Sequence, residues 1–255
     1  MGDLAGFVAA SFLRGVPFIQ VPTSMAAMVD ASIGGKVAVN LPQAKNLVGA
    51  FYQPLMVVAD PQVLTTLGKR ELAEGWAEAI KHGFIIDADL VSIFEERTDQ
   101  LMALEPDIST EVIRRSIAIK AGVVSGDERE TGGRRTLLNY GHTVGHALEA
   151  CTAYGTFLHG EAVSVGMTGA AYISQKLGMI DRHLVERQTK LLKRFNLPVG
   201  VLGVDRGRLF EAMALDKKTE KGAIRWVLLE SFGKAVTRTD VPNQLVEEAV
   251  GDLIW

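Results

Sequence analysis

Pro61 divides this chain into two patterns, and that division constrains the fold more than any other feature. Beyond it, residues 70–86, 88–104, 108–125, 141–152, 161–177 and 180–195 space their apolar side chains at helical intervals, with short connections between them. Before it the pattern is mixed. Residues 3–14 read as a helix that Asp3 can cap and Gly15 ends. Residues 17–21 and 55–59 are short apolar runs of strand type, closed by Pro22 and by Asp60-Pro61. Residues 22–36 mix small side chains with Gly34-Gly35 and Lys36, the pattern of a loop interrupted by a short helix. Near the end, residues 224–229 and 235–238 predict a two-stranded ribbon around Phe232-Gly233, and 242–252 a final helix. The expectation is an α/β segment over 1–62 followed by a mostly α-helical unit over 63–255. Two strands seldom make an independently stable sheet, so the first segment reads as part of a larger one with an element upstream.

Composition narrows the function classes. A net charge of −3 over 255 residues argues against a general nucleic-acid binder. The single cysteine, Cys151, cannot form an internal disulfide, which fits a reducing compartment. No apolar run approaches the roughly 20 residues that a membrane span needs. The N-terminus has no basic segment followed by an apolar one, so cytoplasm is the expected location.

The chemistry concentrates in residues 135–161. His142 and His146 stand i, i+4, so on a helix they share one face a turn apart, and His159 follows. Histidine is the commonest metal ligand and is largely neutral near pH 7. The pair lacks the glutamate of the HExxH pattern, and each histidine alone also suits an ordinary packed or surface position. A catalytic zinc site takes three protein ligands and keeps one position open. The best carboxylate for the third is Glu78, in a segment where Glu74, Glu78 and Lys81 share one helical face. From that segment alone, a solvated face with an i, i+3 ion pair is the simpler reading. Lys36, Lys45, Lys81, Lys120, Arg135 and Lys217-Lys218 sit beside small or polar residues rather than in a run. Converging, they would bind an anion such as a phosphate or carboxylate; spacing does not show that they converge. Gly34-Gly35-Lys36 suits a plain turn as well as a phosphate loop, because no Walker or dinucleotide pattern accompanies it.

Four stretches carry a resemblance: residues 30–36 (DASIGGK), 45–54 (KNLVGAFYQP), 75–83 (GWAEAIKHG) and 138–149 (LNYGHTVGHALE). In this order they closely resemble the 3-dehydroquinate synthase family, and the likeness runs from Gly2 to the C-terminal end. The resemblance implies a nucleotide-binding α/β domain, represented by residues 1–62, ahead of a helical metal-binding catalytic domain. It implies NAD and zinc (or cobalt) as cofactors, with Glu78, His142 and His159 as metal ligands. It gives His146 a role in substrate binding and proton transfer. Asp30, Lys36, Asn46, Lys81, Lys120, Arg135, Asn139 and one of Lys217 and Lys218 match substrate-contacting positions. Arg14 matches an arginine that reaches a neighbouring subunit's phosphate site, which implies a homodimer. Asp3, Thr23, Ser24, Lys36, Lys45, Thr66 and Leu67 match positions around NAD.

The family reaction converts a seven-carbon 2-keto sugar-acid phosphate (DAHP) to 3-dehydroquinate and phosphate, a step of the shikimate pathway to the aromatic amino acids. The substrate is thus a small sugar-acid phosphate, with no nucleic acid and no membrane involved. In the family a glycine-rich run and a nucleotide-binding half precede the segment matched by Gly2. Met1 stands in place of that run, so the expectation is weak or absent NAD binding by this chain unless a missing half is supplied. Two alternatives stand beside the enzyme reading: a related cyclase acting on sedoheptulose 7-phosphate, and a zinc-binding fragment without turnover. The cyclase relatives tend to differ around Asn139, His146 and Lys217-Lys218, which here look like the dehydroquinate type.

Overall fold

Helix α2 (Lys69–Ile85) runs through the centre of the protein, and the rest of the helical region is built around it. The computed structural model describes residues 1–41, 44–152, 155–217 and 224–255, the side chains of 44, 45, 216 and 217 excepted. Thirteen of the 17 residues of α2 are buried, Leu72 to Ile85 with Glu74 as the only gap, so the helix is packed on every side rather than along one stripe. Trp76 anchors it: its ring meets Phe94 and Phe195 edge-on, with centroids 6.0 and 6.1 Å away. Phe94 belongs to α3 (Ala88–Glu96), and Phe195 ends α8 (Arg182–Arg194).

Around α2 pack α3, α5 (Pro106–Gly126) and α7 (His159–Lys176), and α6 (His142–Cys151) packs on α7. Helix α7 is rich in Gly, Ala and Ser, which lets its neighbours come close. A Cβ on Gly166 would stand 1.8 Å from the Gly141 carbonyl. Gly141 itself has φ 81°, the left-handed backbone that turns the chain into α6 and aims His142 inward. Helix α4 (Thr98–Met102), α9 (Arg206–Lys217) and α10 (Asn243–Gly251) belong to the helical region as well, and among the described residues no helix is long and apolar enough to cross a membrane.

The first 60 residues form a thinner layer. Helix α1 (Gly2–Ser11) leads into β1 (Ile19–Gln20), which pairs parallel with β4 (Met56–Val57) in the register Ile19↔Met56. Between them, β2 (Lys36–Leu41) and β3 (Ala44–Phe51) form an antiparallel hairpin. A third two-stranded sheet, β5 (Trp226–Ser231) with β6 (Lys234–Arg238), is the expected C-terminal ribbon.

Two expectations needed correction, and two elements were not anticipated. The first helix stops at Ser11, because Leu13, Arg14 and Gly15 take positive φ and reverse the chain ahead of Pro17. The predicted helix over 88–104 is two, broken at Arg97, where the Thr98 hydroxyl bonds back to the Phe94 carbonyl at 2.6 Å. The β2–β3 hairpin was missed although Val37, Val39 and Leu41 alternate with Lys36, Ala38 and Asn40; it is mostly exposed, and only Val37 of β2 is buried. Helix α9 was missed because its buried stripe is narrow, chiefly Leu209 and Met213. The strands at residues 19–20 and 56–57 fall within the two expected apolar runs, and the helical character beyond Pro61 agrees with the sequence reading.

Candidate active site

Three side chains from three helices meet at one point. Glu78 stands mid-α2, His142 opens α6 and His159 opens α7. Glu78 Oε1 lies 3.7 Å from His142 Nε2 and 3.6 Å from His159 Nε2. Two ligands about 2.1 Å from one ion at a tetrahedral angle stand about 3.4 Å apart, close to what is seen. Glu78 is 1% exposed, and its Oε1 has no hydrogen-bond partner. A buried carboxylate oxygen without a partner is costly unless a cation completes it. The other nitrogen of each ring is already held, His142 Nδ1 by the Tyr140 carbonyl at 3.2 Å and His159 Nδ1 by Glu149 Oε2 at 3.2 Å. That outer pairing leaves both Nε2 atoms facing Glu78, as in ligating histidines. Burial, then the Lys81 charge, hold His142 well below the usual histidine range, so it is neutral and able to ligate. Burial pulls His159 down, but Glu149 and Glu78 outweigh it and raise its pKa. These residues fit a zinc or cobalt ion.

Beside the triad lies a small cavity of about 110 Å³, lined by Asp30, Lys36, Lys81, Lys120, Arg135, Asn139 and His142 among others. Four cations therefore converge. Lys81 is 1% exposed and pairs with Glu78 Oε2, one helical turn back. Lys120 reaches from α5 to the Asp30 carboxylate and carbonyl, 2.6 Å each. Burial pushes the Asp30 carboxyl up, but the Lys120 and Lys81 charges outweigh it and hold it well below the usual carboxylate range. Burial lowers the Lys120 ammonium, against the pull of Asp30. Arg135 donates to the Gly34 carbonyl at 3.1 Å and to the Glu128 carbonyl.

The family models for the N-terminal and C-terminal parts of 3-dehydroquinate synthase match residues 1–74 and 75–219. The chain belongs to the 3-dehydroquinate synthase family. It is 49% identical over 250 residues to the 3-dehydroquinate synthase of Nitrosomonas europaea, covering 98% of this chain and 68% of that protein. The Pseudomonas aeruginosa enzyme is also 49% identical, with 97% and 67% covered. The chain thus spans about two thirds of the length of these relatives. Among solved structures, 2-epi-5-epi-valiolone synthase from Streptomyces hygroscopicus, with NAD+ and Zn2+ bound, matches with TM-score 0.92 at 28% identity, over 98% of this chain and 70% of that one. A 2-deoxy-scyllo-inosose synthase complexed with carbaglucose-6-phosphate, NAD+ and Co2+ matches with TM-score 0.87 at 29% identity, covering 98% and 71%.

The other expected residues lie in separate places. His146 stands exposed one turn beyond His142, its ring 5.2 Å from that of His142 and 5.9 Å from that of His159. Asn46 does not line the cation pocket. With Asp3, Thr23 and Ser24 it lines a separate groove of about 780 Å³, where burial raises the Asp3 carboxyl pKa. Thr66 and Leu67 lie outside both linings, at the end of the 3₁₀ turn Pro61–Thr66, where the Thr66 hydroxyl donates to the Val63 carbonyl. Arg14 is exposed on the left-handed turn after α1. The side chains of Lys45, on β3, and Lys217, at the end of α9, lie outside the described residues, as does all of Lys218. Gly34-Gly35 is a turn whose positive φ leads into β2 and leaves room for Arg135.

Three acids went unnoticed in the sequence. Glu130 lines the cation pocket, pairs with Lys36 and accepts from Asn139 Nδ2 at 3.1 Å. Its loop is shaped by Asp127, whose carboxylate accepts the amides of Thr131, Gly132 and Arg135. Glu149 supports His159. Only Glu149 left a trace, one turn of helix beyond His146; the two loop acids sit in an ordinary charged run. The solvated-face reading of Glu74, Glu78 and Lys81 is overturned by the burial of Glu78 and Lys81.

Proposed function

We propose that this chain is a 3-dehydroquinate synthase, converting DAHP to 3-dehydroquinate and phosphate. The observation that carries the reading is the juxtaposition of a metal-fitting triad, Glu78, His142 and His159, with a pocket walled by Lys36, Lys81, Lys120 and Arg135. When bound, the metal supplies Lewis-acid polarisation of a substrate hydroxyl and NAD a reversible hydride acceptor. The chain's own residues do the rest. The cations hold the dianionic phosphate and the carboxylate, and so keep the two ends of the opened sugar close for ring closure. Asp30 keeps Lys120 oriented. His146, exposed at the rim beside His142, takes and returns protons at the substrate hydroxyls. Asn139 and one of Lys217 and Lys218 complete the recognition of substrate.

Residues 1–62 form the NAD side, with Asp3, Thr23, Ser24 and Lys45 serving the nucleotide, and 63–255 the metal side, of which Thr66 and Leu67 also serve the nucleotide. Asn46 lines the groove it shares with Asp3, Thr23 and Ser24, so it meets substrate only where the substrate extends from the cation pocket toward that groove, and Arg14 serves the phosphate site of a second copy in a homodimer. Identity near 49% to named 3-dehydroquinate synthases, against 28–29% to the two cyclases of other function, supports DAHP over sedoheptulose 7-phosphate. The test is phosphate release by zinc-loaded protein with NAD. Release from DAHP but not from sedoheptulose 7-phosphate is expected; release from the second sugar alone, or from neither, overturns the proposal.

A further inference from the structure

The three metal-facing side chains are not equally held. Glu78 lies in the interior of α2 and is 1% exposed; His142 is 13% exposed at the start of α6. His159 is 38% exposed and is the first residue of α7, where a helix end frays most easily. Its place relative to Glu78 must be fixed from outside, and α2 does this.

Arg70, Glu74 and Glu78 follow at i, i+4 and i+8, along one face of α2. Glu74 Oε2 accepts the Gly160 amide at 2.9 Å, an acid on a free amide of the first turn of α7. Arg70 grips Glu161 with two parallel bonds of 2.6 Å, Nε to Oε1 and Nη2 to Oε2, and donates to the Thr156 carbonyl at 3.0 Å. Glu161 in turn accepts the Leu158 amide at 2.8 Å. Leu158 has no side-chain acceptor, so the start of α7 relies on Glu161, at the Leu158 amide, and on Glu74, at the Gly160 amide. A Cβ on Gly160 would stand 1.9 Å from the Glu74 carbonyl, so the two backbones touch here. The residues on both sides of His159 are thus tied to the helix that carries Glu78.

We propose that Arg70, Glu74 and Glu161 form a clasp that positions His159 for the metal. The inference rests on the metal reading above. None of the three is a ligand or touches substrate; they are positioning residues. Charge alone predicts the opposite for one of them. Removing Arg70 leaves Glu74 and Glu161 unbalanced near a dication, which would tighten metal binding, whereas loss of position weakens it.

The experiment measures Zn2+ affinity by competition with a chromophoric chelator, together with the visible spectrum of the Co2+-loaded protein. It compares wild type, Arg70→Ala, Arg70→Lys, Glu161→Ala, the Arg70/Glu161 double variant, Glu74→Ala, Glu74→Gln and a control, Arg114→Ala. Outer partners of ligating histidines are typically worth 10- to 100-fold in metal affinity. Arg70→Ala and Glu74→Ala are expected to weaken zinc by about 10-fold or more and to shift the cobalt bands. Arg70→Lys, unable to bond bidentately, recovers only part. Glu74→Gln, which keeps an acceptor, stays near wild type. The double variant is no worse than the worse single one. Arg114→Ala, an exposed pair on α5, changes nothing. Unchanged or tighter zinc in folded Arg70→Ala and Glu74→Ala overturns the clasp. If wild type itself binds no zinc, or His142→Ala binds it as well as wild type, the metal reading fails instead.

Discussion

The first 60 residues and the helical region beyond them are built to different standards. Among the described residues, 14 of the 17 exposed large apolar side chains lie at or before position 58, including Phe12, Leu13, Leu55 and Met56. The helical region has a continuous buried core, centred on Trp76, Phe94 and Phe195. The metal triad lies wholly within that core region. The anion pocket straddles the two, because Asp30 and Lys36 come from the thin layer while Lys81, Lys120 and Arg135 come from the helices. A rigid frame thus holds the ligands, and a lightly packed layer contributes groups that meet the substrate. Contacts across the divide are apolar where Met25, Met28 and Val29 join the helical core, and polar around the pocket: Lys120 with Asp30, Arg135 with the Gly34 carbonyl, Lys36 with Glu130, and Gln53 with Glu128 at 2.9 Å.

The contrast can be broken in order of effect. Phe94→Ala, at the aromatic triangle, should cost about 3–5 kcal/mol, read as the midpoint of denaturant unfolding. A cost below about 1 kcal/mol would mean that the core is not where we place it. Glu78→Ala should weaken zinc by more than about 100-fold, beyond the usual cost of losing an outer partner. It should also lower the stability of the metal-free protein, since Lys81 is left buried without its counter-charge. Chelator competition and thermal unfolding read the two effects separately.

The pH dependence is next. Burial, then the Lys81 charge, push His82 down to about 3, against an ordinary value of 6.5. Between those values the unfolded chain binds a proton that the native one refuses. The His82 contribution to the stability of the metal-free protein is therefore full above about pH 6.5 and falls as pH drops, by up to about 1.4 kcal/mol per unit. His82→Gln should flatten that part of the slope, with the share of His142 remaining. An unchanged slope would contradict the burial. The smallest effects belong to the thin layer. Leu55→Ser should stay within about 0.5 kcal/mol of wild type. Lys36→Ala, which breaks a half-exposed pair, should cost no more than about 1 kcal/mol while raising the KM for DAHP severalfold.

Much of the helical region was legible, since long apolar periods survive wherever a helix has one buried stripe. Residues 106–126 and 182–194 fell close to their expected bounds for that reason. The β2–β3 hairpin and α9 lacked such a stripe and left no comparable signal. The pattern also misled at 69–85, where a polar face that looked solvated is turned into the core; its charges are paired by Lys81 and by histidines more than 60 residues away. The residues of the site were named through resemblance. What spacing could not supply was convergence, because Asp30, Glu78, Lys120 and His142 come together only through long-range packing.

The central claim is that one metal ion is held by Glu78, His142 and His159. X-ray absorption at the zinc edge of the stoichiometrically loaded protein tests it most directly. The account predicts two imidazole nitrogens and at least one carboxylate oxygen near 2.0–2.2 Å, with one imidazole lost in His159→Ala. A sulfur ligand at about 2.3 Å, or a spectrum unchanged by that substitution, would contradict it.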